Sequence, residues 1–224
     1  MAWSDPGDFT SGQILTAPQM DSIREAMFFG QGTFTNEAAR DTAYNAAGAM
    51  SPITLQEGMR AYLTASTVAA ATGAVTAVPT GITTLYNGSA WVCTTPVNAF
   101  TSTTGTTTSG SYTPTLTSGG TNPSVTLATG TTALVLVSVT GSVNPAPTTI
   151  GVGVAVSGAT TLAVAGNSLA VYVGITGGYP HTMTFAKVIT GLTAGTNTFT
   201  LQYSSGAGNT ASFSDRSITV QGIA

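Results

Sequence analysis

Charge is what this 224-residue chain has least of: five Lys and Arg, eight Asp and Glu and one His, a charged fraction of 6% where about a quarter is usual in a globular domain. The distribution is more telling than the total. Ten of the thirteen charged side chains lie at or before Arg60, and none occurs from Ala61 to Ala186; only Lys187, Asp215 and Arg216 follow. More than half the chain therefore lacks a carboxylate base, a lysine nucleophile or a phosphate clamp. No basic cluster or stripe is present and the net charge is -3, which argues against nucleic acid as a partner, since phosphate binding needs Lys and Arg. The single Cys93 excludes an intrachain disulfide framework and any multi-cysteine metal site, and reads as a buried, inert thiol. Apolar runs such as Ala133 to Val137 fall far short of the roughly 20 residues of a membrane-spanning helix, so no membrane insertion is expected.

What is present is Thr, Ser and Gly mixed with Val, Ile and Leu. That is too apolar for a disordered chain. The start, Met1-Ala2-Trp3-Ser4-Asp5, lacks the basic end and apolar stretch of a signal peptide. Synthesis in a cytoplasm, with any surface destination reached through assembly into a particle, is the expectation.

Three regions follow along the chain. Residues 1–50 are polar and partly helical. Thr16 can cap a helix with Pro18 in its first turn and Gln19 completing a capping box. Met20, Ile23 and Met27 recur at helical spacing up to Gly30. One amphipathic helix this short makes no core alone: its apolar stripe either packs on the rest of the chain or is an assembly surface, and in the latter reading Met20, Ile23 and Met27, with Trp3, are the candidate residues for attachment to other proteins of an assembly. A second short helix is expected from Asn36 to Tyr44.

Residues 51–110 read as extended: a strand at 59–64, then a hairpin at 82–92 around Asn87-Gly88, whose residue types tolerate positive φ. Tyr86 and Trp91 flank that turn and are expected to cover one another or a neighbouring subunit. The Thr-rich stretch 101–110 reads as a flexible or extended linker. Residues 111–224 read as all β. Strands are expected at 124–128, 133–142, 150–156, 161–165, 169–175, 182–190, 197–203 and 217–220. With no helical period between them, they predict an antiparallel β-sandwich of jelly-roll type. The fold class is thus mainly β, with an N-terminal helical region, a hairpin linker and a C-terminal sandwich.

Sheet edges are usually blunted by charge, especially Lys, and this chain has almost none to spend there. Burial of apolar faces between copies resolves that difficulty, and a homotrimer is expected.

Particular residues carry a resemblance. Trp3-Ser4-Asp5-Pro6-Gly7-Asp8-Phe9-Thr10 followed by Thr16-Ala17-Pro18-Gln19-Met20-Asp21-Ser22-Ile23-Arg24 resembles the opening of bacteriophage minor tail and fibre proteins, with Asp21 in place of the usual Asn. Glu57-Gly58-Met59-Arg60-Ala61-Tyr62-Leu63 with Tyr86-Asn87-Gly88-Ser89-Ala90-Trp91-Val92 resembles a hairpin module of tail and head-fibre proteins. Gly191-Leu192-Thr193-Ala194-Gly195 onward to Tyr203, then Ser212 to Val220, resembles the last strands of trimeric fibre heads. These pieces cover about a third of the chain, and none is a catalytic signature. The resemblance implies a virion fibre protein, attached to other virion proteins through its N-terminus and binding a host surface glycan or other envelope component through its C-terminal domain. A tail location is the leading reading; a head-anchored fibre or capsid decoration protein is the alternative.

No enzyme is expected. Glycan cleavage calls for paired carboxylates, and Asp215, the one acid of the β-region, reads as an ion pair with Arg216 or a turn-stabilising group. His181 has no acid nearby in sequence to orient it as a base. No cofactor and no metal site are indicated. The candidate receptor-binding residues are Tyr172, Tyr179 and His181, around the Tyr179-Pro180-His181 loop.

Overall fold

The computed structural model describes residues 32–44, 55, 57–66, 69–144, 148–164, 170–175, 179–206 and 209–223. Trp3, Met20, Ile23 and Met27, and the helix expected around them, lie outside the described residues. The chain is mainly β, as the composition predicts.

A small sheet comes first. It contains β1 (Gly32–Phe34), β2 (Arg60–Leu63), β5 (Ile82–Tyr86) and β6 (Trp91–Cys93), in the order β1-β2-β5-β6. The β1–β2 pair is parallel and the others are antiparallel. Helix α1 (Glu37–Tyr44) packs on this sheet. Asn36 caps it, its Oδ1 accepting from the Ala39 N–H at 2.9 Å and satisfying one of the orphan donors of the first turn. Arg40, Tyr44 and Trp91 make the helix–sheet contact. The Arg40 guanidinium lies 4.5 Å over the Trp91 ring, with Tyr44 and Tyr86 5.7 and 5.5 Å from the same indole. The expected mutual cover of Tyr86 and Trp91 is thus present. The connection between them is a four-residue loop closed from the Asn87 N–H to the Ala90 carbonyl at 3.1 Å. Only Gly88 takes positive φ (89°) in that loop; Asn87 instead turns its Oδ1 to the N–H groups of Ser89 and Ala90.

Two larger sheets form a sandwich. One has the order β13-β10-β15-β7-β4, with β8 also on β15; the other is β12-β11-β14-β9-β3. Their strands are β3 (Ala70–Thr72), β4 (Val75–Ala77), β7 (Val97–Thr101), β8 (Gly105–Thr107), β9 (Ser124–Thr129), β10 (Thr132–Asn144), β11 (Thr148–Gly158), β12 (Ala170–Ile175), β13 (His181–Thr190), β14 (Gly195–Ser205) and β15 (Thr210–Ile223). The pairs β7–β15, β9–β14, β10–β13 and β11–β12 are nested in sequence and alternate between the sheets. That is a single long antiparallel ribbon rolled on itself, the jelly-roll arrangement. Alternation does the rest: Val125, Leu127, Val135, Val137, Ile150, Val154, Phe199, Leu201, Phe213 and Ile218 all point between the sheets and are buried.

Three expectations are corrected. The stretch 101–110 is not a free linker, because β7 and β8 pair with β15. The long edge of β15 offers backbone groups that need partners, and the β-branched threonines suit a pleated neighbour. Residues 70–72 and 75–77, which the sequence reading leaves outside any strand, pair with β9 and β7. Of the strand expected at 161–165, the described residues 161–164 make one bridge, between Leu162 and Val156.

Candidate functional site

Strand registers fix where the candidate residues lie. The small sheet abuts one end of the sandwich. Gly222 passes so close to β6 that a Cβ there would sit 2.6 Å from Cγ1 of Val92, and the Gln221 amide donates to the Thr94 carbonyl at 2.7 Å. At that end Thr132, the start of β10, faces Ile223. At the other end of the same strand Gly141 faces His181 and Asn144 faces Thr210. Nine residues of strand separate Thr132 from Gly141, a distance of about 30 Å. The strand ends at Asn144, Thr148, Ile175, His181, Ser205 and Thr210 therefore lie at the end remote from the small sheet.

Tyr179, Pro180 and His181 are all exposed at that remote end, Tyr179 to 76%. Tyr172 is described by its backbone, paired with Gly151 in the other sheet. Both registers place these residues toward the same end of the sandwich, on opposite sheets; His181 opens β13 while Tyr172 stands three residues before the end of β12.

Beneath the site lies a residue whose role the sequence reading missed. Arg216 is fully buried. Its guanidinium donates to the carbonyls of Thr103 (3.1 Å) and Gly119 and to the hydroxyl of Tyr203 (3.4 Å), and it stands 5.4 Å from the Tyr203 ring centroid. Nε has no hydrogen-bond partner. Of the two roles expected of Asp215, ion pair with Arg216 or turn-stabilising group, the ion pair is absent and the carboxylate stands at the irregularity in β15. Asp215 is exposed and accepts from the Ser214 hydroxyl at 3.2 Å. The physical reason is a bulge: Ser138 faces Ser217 but Thr140 faces Ser214, so β15 carries one extra residue there. Asp215 takes φ of 47°, accommodating the extra residue and sending neighbouring side chains to opposite faces. Arg216 thereby pins the crossing segment at 103 and 119 onto the sheet.

The adjacent Tyr203 hydroxyl donates to Asn122 Oδ1 at 2.8 Å. Burial pushes its pKa up to about 12 despite the lowering influence of Arg216. Cys93 is buried and its thiol is pushed up to about 11, chiefly by desolvation. It is protonated at neutral pH and closed to solvent, unlike a nucleophilic thiolate. Among the described residues, no group of three or more His, Cys, Asp or Glu gathers that could hold a metal ion. No described helix is long and apolar enough to cross a membrane.

Comparison with known proteins gives little sequence kinship. No family model matches the chain, and no curated protein matches it. Among solved structures it is similar to Eiger TNF from S. frugiperda, at 16% identity and a TM-score of 0.40, covering 58% of this chain and 92% of that one. It is also similar to the infectious bursal disease virus Gx strain structure, at 14% identity and a TM-score of 0.41, covering 66% of this chain and 38% of that one. A third is TmCBM61 in complex with beta-1,4-galactotriose, at 14% identity and a TM-score of 0.26, covering 55% of this chain and 68% of that one.

Proposed function

We propose that the chain is a structural fibre protein of a bacteriophage virion, tail-associated and trimeric, which contacts the host surface through its jelly-roll domain and catalyses no reaction. The observation that carries this reading is the polarity of the molecule. The small sheet, fed by the N-terminal region whose residues resemble tail and fibre proteins, abuts one end of the sandwich, and the exposed Tyr179–His181 cluster occupies the other. A fibre needs that division between an anchored end and a presented end.

The presented end also has suitable chemistry for a glycan or similar envelope component. An exposed phenol ring offers an apolar face with a polar tip, and the imidazole beside it donates or accepts hydrogen bonds. The tail assignment rests on the opening residues, which resemble minor tail proteins.

The test is host adsorption by particles carrying Tyr179→Ala with His181→Ala. Both side chains are exposed, so the variant should fold and assemble as the parent does while adsorption falls at least tenfold. Unchanged adsorption removes this cluster from receptor contact. Absence of the protein from purified particles, probed by antibody labelling, removes the virion reading altogether.

A further inference from the structure

The bulge in β15 does more than turn Arg216 inward: it puts a carboxylate on the outer face of the sheet. Asp215 is exposed there with φ of 47°, and it accepts from the Ser214 hydroxyl at 3.2 Å. Positive φ is cheapest for Gly, with Asn and Asp next, so the backbone alone asks for no charge at this position. Yet Asp215 is the one acid after Arg60, in a chain that carries no charge at all from Ala61 to Ala186. Bulges re-aim side chains and are over-represented beside functional sites. A non-glycine residue held in the left-handed region is, on the same grounds, a pointer to use.

Strand registers show what surrounds this carboxylate. Thr140 faces Ser214 on one side and Thr182 on the other; one row along, Ser138 faces Ser217 and Thr184. These are outward rows, since the strand neighbours Val139, Met183, Phe213 and Ile218 are buried. On the other flank of β15, Arg216 faces Thr101 and Phe213 faces Gly105. The exposed Ser102, Thr103 and Thr104 between them therefore pass beside Asp215. Ser138 bonds Thr184 and Thr140 bonds Thr182, each at 3.2 Å. Each such pair uses one of its two hydroxyl hydrogens and leaves the other, with several lone pairs, for a ligand.

The row Ser214–Thr140–Thr182 leads to the remote end, where Thr182 adjoins His181 and Tyr179 lies two residues further. Two strand spacings, about 10 Å, separate Ser214 from Thr182. Cations are turned away from this strip. Lys187 and Arg216 are the only Lys or Arg after Arg60; Arg216 is fully buried and Lys187 stands in the inward row of β13. An anionic ligand would meet the Asp215 carboxylate with no Lys or Arg to hold it. An uncharged polyol meets a strong acceptor set among hydroxyls.

We infer that this strip, from Asp215 along Ser214, Thr140 and Thr182 to His181 and Tyr179, binds an uncharged, hydroxyl-rich glycan, with Asp215 accepting from a vicinal pair of sugar hydroxyls. A carboxylate has two oxygens to receive such a pair, and hydrogen bonds to a charged acceptor are the stronger kind. The Tyr179 ring supplies an apolar face for the sugar beyond. The inference rests on the receptor-contact reading of the Tyr179–His181 end and fixes the class of its ligand.

The experiment is binding of the full chain to an immobilised panel of neutral gluco-, galacto- and manno-oligosaccharides, alongside uronic-acid and phosphodiester-linked glycans. The parent is expected to bind a neutral member and none of the acidic ones. Asp215→Asn keeps the shape and the tolerance of positive φ but loses the charged acceptor. Its affinity should fall about tenfold or more with an unchanged melting temperature. Asp215→Gly, which relieves the backbone, should lose as much and decides if the Asn variant fails to fold. Parent-like affinity in either folded variant overturns the inference, as does a parent that binds only acidic glycans or none. Adsorption reports on the receptor reading separately. Loss of adsorption in the Tyr179→Ala with His181→Ala variant, beside parent-like glycan binding in Asp215→Asn, sinks the strip and keeps the end.

Discussion

Raising the pH should destabilise this protein through Tyr203, and the size of the effect follows from its surroundings. The folded chain holds the Tyr203 proton up to about 12 because the phenol is enclosed between the sheets, with desolvation outweighing the pull of Arg216. Once unfolded, the phenol titrates near 10. The folded state therefore binds the proton more tightly. Its stabilisation is complete below pH 10 and is lost as pH rises from 10 toward 12. Linkage across that gap gives a loss of about 1.4 kcal/mol by pH 11 and about 2 kcal/mol by pH 12. Tyr203→Phe abolishes this titration. It loses about 1 kcal/mol at pH 8 with the hydrogen bond to Asn122, yet falls less steeply as pH rises. Cys93 titrates in the same direction, from 9 toward about 11, but it is common to both proteins and cancels in the comparison. The assay is urea unfolding at fixed protein concentration, at pH 8 and pH 11. The parent midpoint should move about 0.5–1.4 M further than that of the variant, taking a urea dependence of about 1–3 kcal/mol per molar. Equal movements would refute the claim that Tyr203 is enclosed and neutral.

Two further perturbations probe the packing beneath the remote end. Arg216→Ala removes the donors to Thr103 and Gly119 and leaves a void, partly offset by relief of a buried cation; a net loss of about 3 kcal/mol in chemical unfolding is expected. Arg216→Lys should recover less than half of it, because a single ammonium lacks the planar fork that reaches several acceptors, and full recovery would argue that charge alone matters. Gly105→Ala places a Cβ 2.4 Å from the Cα of Gly119 and 2.7 Å from the Cβ of Leu116, where no flexible side-chain tip is the nearest neighbour to yield. It should cost about 1–3 kcal/mol, and a neutral result in thermal melts would show that the crossing segment gives way.

Most of the sandwich was legible because inward residues follow period two. β10 and β14 alternate almost without interruption, and the Gly and Asn punctuation between strands is plain in the sequence. What escaped was pairing at long range. Nothing local in 101–110 reveals that β15, more than a hundred residues away, supplies its partner. The bulge was legible in principle. Phe213 and Ile218 both point inward though five residues apart, an odd interval that period two forbids, so one extra residue must lie between them. That count would have separated Asp215 from Arg216, where adjacency alone suggested an ion pair. For the candidate site, Tyr179 and His181 stood out as the distinctive loop, and the structure leaves them exposed; Tyr172 is placed by register alone. The helix carrying Met20, Ile23 and Met27 lies outside the described residues.

The scarcity of charge and the nested topology act on the same problem. The jelly roll brings Asn144, Thr148, Ile175, His181, Ser205 and Thr210 to one end of the sandwich. The lateral faces, by contrast, are fixed by strands. Charge on those faces would oppose close approach of identical neighbours, because copies repel where like charges meet. No charge occurs from Ala61 to Ala186, yet the outer face of the β10–β15 pair is not bare of it: the bulge turns Arg216 inward and leaves Asp215 exposed beside Ser214. Lys187 is turned the other way. It stands opposite Val135 in the inward row of β13, not in the outward row of Val188.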